Sequence, residues 1–459
     1  MTDPRREKRV FALAFRRRRL PARWLSRRIW RRRLVFWLGA IAIGGLSVVF
    51  AEAANWSQAT FSAAARQFWW LPLIATPAGF AACAYFARVM FPGSQGSGIP
   101  QAIAARHLRT NDDRRRLLSP NLIIGKVGLT IAGLLAGASI GREGPTVQVG
   151  AAIMLQVAIW GGLRNERGLI LAGSAAGIAA AFNTPLAGIV FAIEEMSRSF
   201  EQRTNGLVLY AVIIAGLASL GLVGNYTYFG STSASVIDAR DWTLVVVCGV
   251  IGGLAGGTFS RLLLDGSRIA QRWIDTCPRW RSLALAIGCG VIVSLIGLLT
   301  SGATFGTGYE QARSAVEGDS LSASFWPAKL AATLVTALSG IPGGLFAPSL
   351  AVGAGLGSWI GTIVGTGSTG LVAVLGMAGY FAGVVQAPMT AFVIILEMTG
   401  SAANVIPLMV AAVLGFGASR LVVSRPLYHG LSDRFIEEAR RRAVIEEAGG
   451  RAATERRDG

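Results

Sequence analysis

The sequence predicts an all-α polytopic membrane protein made of two internally repeated halves of tilted and broken helices, and three observations carry that expectation. Only 15% of the 459 residues are charged and 52% are hydrophobic, with a mean hydropathy of +0.50, whereas soluble domains carry about 25% charged residues. Apolar sequence continues almost unbroken from Leu34 to Val423, which could hold about a dozen bilayer spans of about 20 residues each. Finally, GREGPTVQVGA at 141–151 returns 203 residues later as GLFAPSLAVGA at 344–354, identical at five of eleven positions. The same offset lays PLAGIVFAIEE at 185–195 on PMTAFVIILEM at 388–398, matching Pro185 to Pro388 and Glu194 to Glu397. Duplicated halves are typical of transporter folds, commonly as inverted copies, and that is the expectation here, although direction cannot be read from sequence. SGIP also occurs twice, at 97–100 and 339–342, but outside this register, so it is not counted as repeat evidence.

Taken in order, the chain opens with a basic tail, residues 1–33, holding 14 Lys or Arg against Asp3 and Glu7. Positive charge directly before a first apolar run places this tail, and the charged tail 432–459, in the cytoplasm. Arginine blocks at 16–19 and 31–33, interleaved with Phe15, Trp24 and Trp30, suit a helix lying on anionic lipid. Because the net charge of +19 is concentrated there, it argues for membrane orientation and against a nucleic-acid partner. So long a basic region before a full span fits an uncleaved membrane helix better than a signal peptide.

Between the tails lies one transmembrane unit, 34–431, with halves at about 34–220 and 240–431. Arginine-rich breaks at 106–116, 164–167, 198–203 and 261–281 are expected on the cytoplasmic side, and the weakly charged stretch 225–241, with Tyr226, Thr227, Tyr228 and Ser233, outside. Many of the 58 glycines fall within apolar sequence. The pairs Gly133/Gly137, Gly252/Gly256 and Gly253/Gly257 have the spacing of close helix crossings. Cys83, Cys248, Cys277 and Cys289 lack CxxC spacing and are expected to act as small hydrophobes rather than as a disulfide or zinc framework. His107 and His429 have no partner at metal-ligand spacing and are expected at the surface. No metal or cofactor is expected.

Three segments share one design, glycines and a proline breaking an apolar stretch: GSQGSGIP at 93–100, GREGP at 141–145 and GIPGGLFAP at 340–348. Each is expected to start a helix, with Gly141, Gly144 and Gly344 permitting a tight approach and Pro145 in a first turn. A helix start presents unpaired N–H groups and the positive end of a dipole, which together make an anion site. Three such starts, two in repeat register, could converge on one ion. Glu143 puts an acid inside one of them, where its repeat mate Phe346 has none; such a carboxylate is costly in a membrane and is a candidate gate. Lys126, in apolar sequence, and Arg142 are expected to make the interior attractive to anions. Glu194 and Glu195 are about 100° apart on a helix and face different ways. Glu194 has a mate in Glu397, whereas Glu195 faces Met398 in the register.

The ordered set GSGIP, GREGP and GGLFAP, closed by PLYHGL at 426–431, resembles the CLC family of chloride channels and chloride/proton antiporters from about Leu34 to Leu431. The resemblance implies a homodimer with one anion pathway per subunit in a prokaryotic inner membrane. It further implies an anion held by the hydroxyls of Ser97 and Tyr428, near Gly98 and Ile99, and by the N–H groups of Leu345 and Phe346. By the same resemblance Glu143 is the external gating glutamate and Glu195 the internal proton-transfer glutamate of antiporters. The serine of GSGIP matches chloride-selective members. Family antiporters often have acids just after GSGIP, where this chain has Gln101 and Ile103, and the tail after Leu431 is too short for paired CBS domains. The expected function is chloride/proton antiport. An uncoupled channel of the same fold is the first alternative and an integral-membrane lipid enzyme a remote one, disfavoured because no nucleophile, base or metal cluster lies in the core sequence.

Overall fold

The computed structural model describes residues 27–108, 110–163, 166–197, 202–224, 227–232, 234–236, 238–365 and 368–458, and every regular element among them is helical. The arginine block at 16–19 with Phe15 and Trp24, together with Arg164, Arg198, Asn225, Tyr226 and Ser233, lies outside the described residues. The first half runs through α1 (Arg27–Gln67), α2 (Leu71–Val89), α3 (Ile99–His107), α4 (Asn111–Leu117), α5 (Pro120–Leu135), α6 (Glu143–Gly161) and α7 (Glu166–Phe182). It continues with α8 (Pro185–Phe191), prolonged by a π-helix (Ala192–Ser197), and α9 (Gln202–Val223). The second runs through α10 (Ala239–Asp275), α11 (Pro278–Leu299), α12 (Tyr309–Glu317), α13 (Phe325–Leu338), α14 (Phe346–Val364), α15 (Thr369–Val385), α16 (Pro388–Thr399) and α17 (Val405–Val422). A last helix, α18 (Leu427–Asp458), follows.

The repeat extends well beyond the two segments from which it was read. Both boundaries of α6 and α14, and of α7 and α15, are separated by the same 203 residues, as are the starts of α8 and α16. Before α4 the separation is instead 210: α3 and α12 are nine-residue helices in that register, and each follows a glycine of positive φ, Gly98 or Gly308. The shift is the length of α4, a seven-residue helix that the second half lacks. Ser97 is therefore the mate of Thr307, and the second SGIP is outside the repeat, as expected.

The copies are inverted. Both carboxylate oxygens of Glu194 accept from the N–H groups of Met389 and Thr390, at 3.1 and 2.6 Å, at the start of α16. Glu397 on α16 does the same for Leu186 and Ala187, at 3.1 and 2.7 Å, at the start of α8. Each acid lies at or just past the C-terminal end of one helix and closes the N-terminus of its mate, which only antiparallel mates can do.

Among the described residues seven helices are long and apolar enough to cross a membrane, fewer than the dozen expected from apolar length. Part of the remaining apolar sequence is core: α15 is buried at every position after its first. A helix apolar on all sides need not face lipid; it can equally be core. Two of the three glycine pairs make close crossings. A Cβ on Gly253 would lie 2.3 Å from the carbonyl of Gly415 on α17, and one on Gly256 2.4 Å from that of Tyr380 on α15. Gly137 instead turns the chain beyond α5 at φ +79°, so Gly133/Gly137 is not a crossing of that kind.

Candidate anion site

The three glycine-broken segments meet at the centre. Gly141 and Gly344, mates in the repeat, exchange reciprocal backbone bonds, Gly141 N–H to Gly344 O at 2.8 Å and Gly344 N–H to Gly141 O at 2.7 Å. The GSGIP segment joins through Gly343 N–H to Gly96 O at 3.1 Å. These bonds hold the starts of α3, α6 and α14 together. Gly144 completes the contact: a Cβ there would stand 2.4 Å from Ser97 Oγ and 3.2 Å from Gly344 Cα. Gly98 adopts φ 103°, where a side chain is strained, and Ile99, Pro145 and Phe346 are buried in the first turns that follow.

What these three helix starts lack is as informative as what they share. The starts of α8 and α16 are closed by Glu397 and Glu194, and that of α12 by its own Thr307, whose Oγ1 accepts from Tyr309 N–H at 3.2 Å. Those of α3, α6 and α14, at Gly98, Arg142 and Leu345, have no side-chain cap. Uncapped N–H groups with the positive dipole end suit an anion. Two hydroxyls are placed beside them. Those of Ser97 and Tyr428 face each other, both enclosed and neither closing a hydrogen bond of ordinary geometry. Phe346 shields them, with its ring centroid 5.8 Å from that of Tyr428 and Phe182, Phe191 and Phe381 around it. This donor set carries no formal charge, which fits a monovalent anion that must also leave.

Glu143 is fully buried as the first residue of α6. Its carboxylate faces the N–H groups of Arg142, Glu143 and Ala347 without closing a hydrogen bond of ordinary geometry. Gly141 makes room, since a Cβ there would lie 2.2 Å from Glu143 Oε2. The carboxylate thus rests at the starts of both α6 and α14, where an anion would be drawn.

Glu195 is 1% exposed, so it is not a solvated helix-end charge. The π-helix at Ala192–Ser197, instead of the α-helix assumed from sequence, sets the angle between Glu194, which caps α16, and Glu195, which turns inward. Tyr428 lies within electrostatic reach of both Glu195 and Glu143. His107 is exposed as expected, but His429 is half-buried, with Nε2 2.8 Å from the carbonyl oxygen of Glu195. It is excluded from the surface because α18 begins inside the protein.

Lys126 and Arg142 do not join the donor set. The Lys126 ammonium donates to Ser94 O at 2.8 Å and Gly96 O at 2.5 Å, pinning the loop before Ser97. Arg142 turns toward α1, donating to Ala51 O at 2.9 Å and Asn55 Oδ1 at 3.2 Å, and lies over the ring of Tyr228. From Ser97 and Leu345 a cavity of about 1120 Å³ opens toward α10 and α18, lined by nine arginines and five carboxylates. Excess positive charge at its walls concentrates anions near the site.

A family model described as voltage gated chloride channel matches residues 78–420. The chain belongs to the voltage gated chloride channel family. The H(+)/Cl(-) exchange transporter ClcA of Salmonella agona is 32% identical over 336 residues, 69% of each chain; that of Citrobacter koseri is 31% identical over the same length. Among solved structures, a slow cyanobacterial Cl-/H+ antiporter superposes with a TM-score of 0.77 at 23% identity, over 89% of this chain and 98% of its own. A CLC-type fluoride/proton antiporter gives 0.73 at 24% identity, over 86% and 96%. These two likenesses establish the fold.

The match to the voltage gated chloride channel family covers the starts of α3, α6 and α14 and both inward glutamates, but ends before Tyr428. Sequence reasoning did not single out Lys329 or Thr307, which frame the second half. Lys329, 203 residues after Lys126, is equally buried and donates to Thr304 O at 2.9 Å and Gly306 O at 2.7 Å; the register already paired the two lysines. Thr307 was hidden because the shorter second half shifts the register by α4. Gln101, just after GSGIP, donates from its amide to Gln95 O at 2.5 Å and so braces the same loop as Lys126.

Proposed function

We propose that this chain exchanges chloride for protons across a prokaryotic inner membrane, through one pathway in each subunit of a homodimer. The observation that carries this is Glu143: a buried carboxylate lying at two uncapped helix starts, beside the hydroxyls of Ser97 and Tyr428. When charged it competes with an anion for the same N–H groups; when protonated it loses that attraction and leaves them to chloride. Anion and proton occupancy are thereby coupled. Glu195, buried and within reach of Tyr428, returns the proton toward the cytoplasm. Relatives named as H(+)/Cl(-) exchange transporters support this over an uncoupled channel, and membership of the family supports transport over an enzyme. Lys126, Gly141, Gly144, Pro145 and Gly344 hold the frame, and Arg142 fixes the start of α6. No metal or cofactor is required.

The homodimer rests on the resemblance to the family. Cytoplasmic termini are supported by the charge rule and by the arginine-rich cavity beside α18. The test uses purified protein in liposomes with an imposed chloride gradient and an electrode that reads external pH. Protons driven uphill by chloride, and no longer driven after Glu195→Gln, are the expected result. Chloride flux with no proton movement would leave an uncoupled channel.

A further inference from the structure

In each half a tyrosine-led dipeptide lies against the segment that holds, or would hold, the inner acid. Against Met398 of the second half lies Tyr228–Phe229, which follows α9; against Glu195 of the first lies Tyr428–His429, at the start of α18, 200 residues later. Met398, the mate of Glu195, gives its carbonyl to the backbone N–H of Phe229 at 3.0 Å. Glu195 gives its own to the side chain of His429, with Nε2 at 2.8 Å. A carbonyl can only accept, so Nε2 carries the hydrogen. The next carbonyl, of Met196, accepts from the guanidinium of Arg106 on α3. The helices differ in the same sense: α16 stays α-helical to Thr399, whereas Ala192–Ser197 is a π-helix. Such wide turns occur mostly as single turns and often at functional sites.

Where there is no acid, then, the clamp is main chain and cannot let go without moving the chain. Where the acid sits, the clamp is a side chain that can release by rotating. The residue bearing it follows directly on Tyr428, whose hydroxyl faces Ser97 in the anion site. We propose that His429 is a positioning residue that holds Glu195 in its inward setting and links that setting, through Tyr428, to occupancy of the anion site. The inference rests on the exchange reading above, and it assigns His429 no contact with the anion.

The experiment compares wild type, His429→Ala and His429→Gln in liposomes, measuring protons moved per chloride as well as chloride flux. The alanine variant is expected to keep chloride flux within about twofold of wild type while its proton-to-chloride ratio falls about fivefold, the low end of ordinary coupling energies. Glutamine, whose amide N–H can reach the same carbonyl, is expected to restore at least half of the ratio. A lesion that merely lowered the folded fraction would reduce both fluxes together and leave their ratio unchanged. An alanine variant with the wild-type ratio overturns the proposal, and so does a glutamine variant that loses as much as alanine, because the hydrogen bond would then not be what matters. If the alanine variant does not fold, glutamine decides alone: a ratio near wild type supports the proposal and a lost one overturns it. A wild type that moves no protons would overturn the exchange reading itself, before any variant is measured.

Discussion

The two halves of this molecule repeat the same order of core helices, and a few positions at which their side chains differ lie where chemistry is proposed. Both have a buried lysine on two loop carbonyls, Lys126 and Lys329, and both a carboxylate that caps the other's helix, Glu194 and Glu397. These matched pairs are frame. The unmatched positions are Glu143 against Phe346, Glu195 against Met398, Gly144 against Ala347, and Ser97 against a self-capping Thr307. Three of the four gather around a single pocket. In an inverted repeat the frame must satisfy both copies, so asymmetry is the sign of a task that only one copy performs.

The comparison can be broken most severely at Glu143. Glu143→Gln is expected to reduce coupled proton movement by at least about a hundredfold, the scale of losing a positioned proton-transfer group. Liposome pH recordings would check it; retained coupling would remove Glu143 from the relay and leave its asymmetry with Phe346 unexplained.

The lysines test whether matched residues are equivalent. Lys126→Ala and Lys329→Ala each lose two charge-assisted bonds to buried carbonyls and should each cost about 3 kcal/mol of stability. Only Lys126→Ala should also weaken chloride binding, because its carbonyls, Ser94 and Gly96, lead into Ser97. Denaturation curves, and tryptophan fluorescence titrated with chloride, separate the two effects. Equal loss of chloride affinity in both variants would dissolve the distinction.

A smaller effect is expected at Gly144. An alanine there meets Ser97 Oγ at 2.4 Å and Ser97 O at 2.7 Å, so Gly144→Ala should cost about 2 kcal/mol by overpacking and weaken chloride binding with it. Gly45→Ala, with nothing within 4 Å, is the control and should leave binding unchanged. Smallest of all, Glu194→Gln and Glu397→Gln should each cost about 1 kcal/mol in thermal unfolding while leaving the proton-to-chloride ratio as it was. A changed ratio in either would mean that a capping acid belongs to the relay after all.

Much of this was legible before any coordinates. Membrane class follows from hydropathy, the duplication from two aligned segments, and the convergent helix starts from three glycine-proline breaks, since such breaks leave N–H groups that something must satisfy. The register alone separated Glu194 from Glu195. Other features were not legible for definite reasons. Apolar length overstated the number of spans, because α15 is apolar on all sides through burial in protein rather than lipid. His429 seemed peripheral because it lies among polar residues near the chain's end, yet α18 starts inside the fold. The π-helix at Ala192–Ser197 has no signature in its residues.

By itself the sequence determined which residues are available: glycine-proline breaks that start helices, one acid in a helix start, one unmatched acid at Glu195, and a basic end. Those are properties of local chemistry and spacing. Only the tertiary structure decided that the copies are inverted, that the starts of α3, α6 and α14 meet at Gly141, Gly344 and Gly144, and that the start of α18 brings Tyr428 to Ser97 and His429 to the carbonyl of Glu195. The physical reason is that a local pattern fixes what a segment needs, such as a partner for a free N–H, but not which distant segment supplies it. Here Glu194 and Glu397 close two helix starts from about 200 residues away, while the starts of α3, α6 and α14, which meet at the centre, have no side-chain cap.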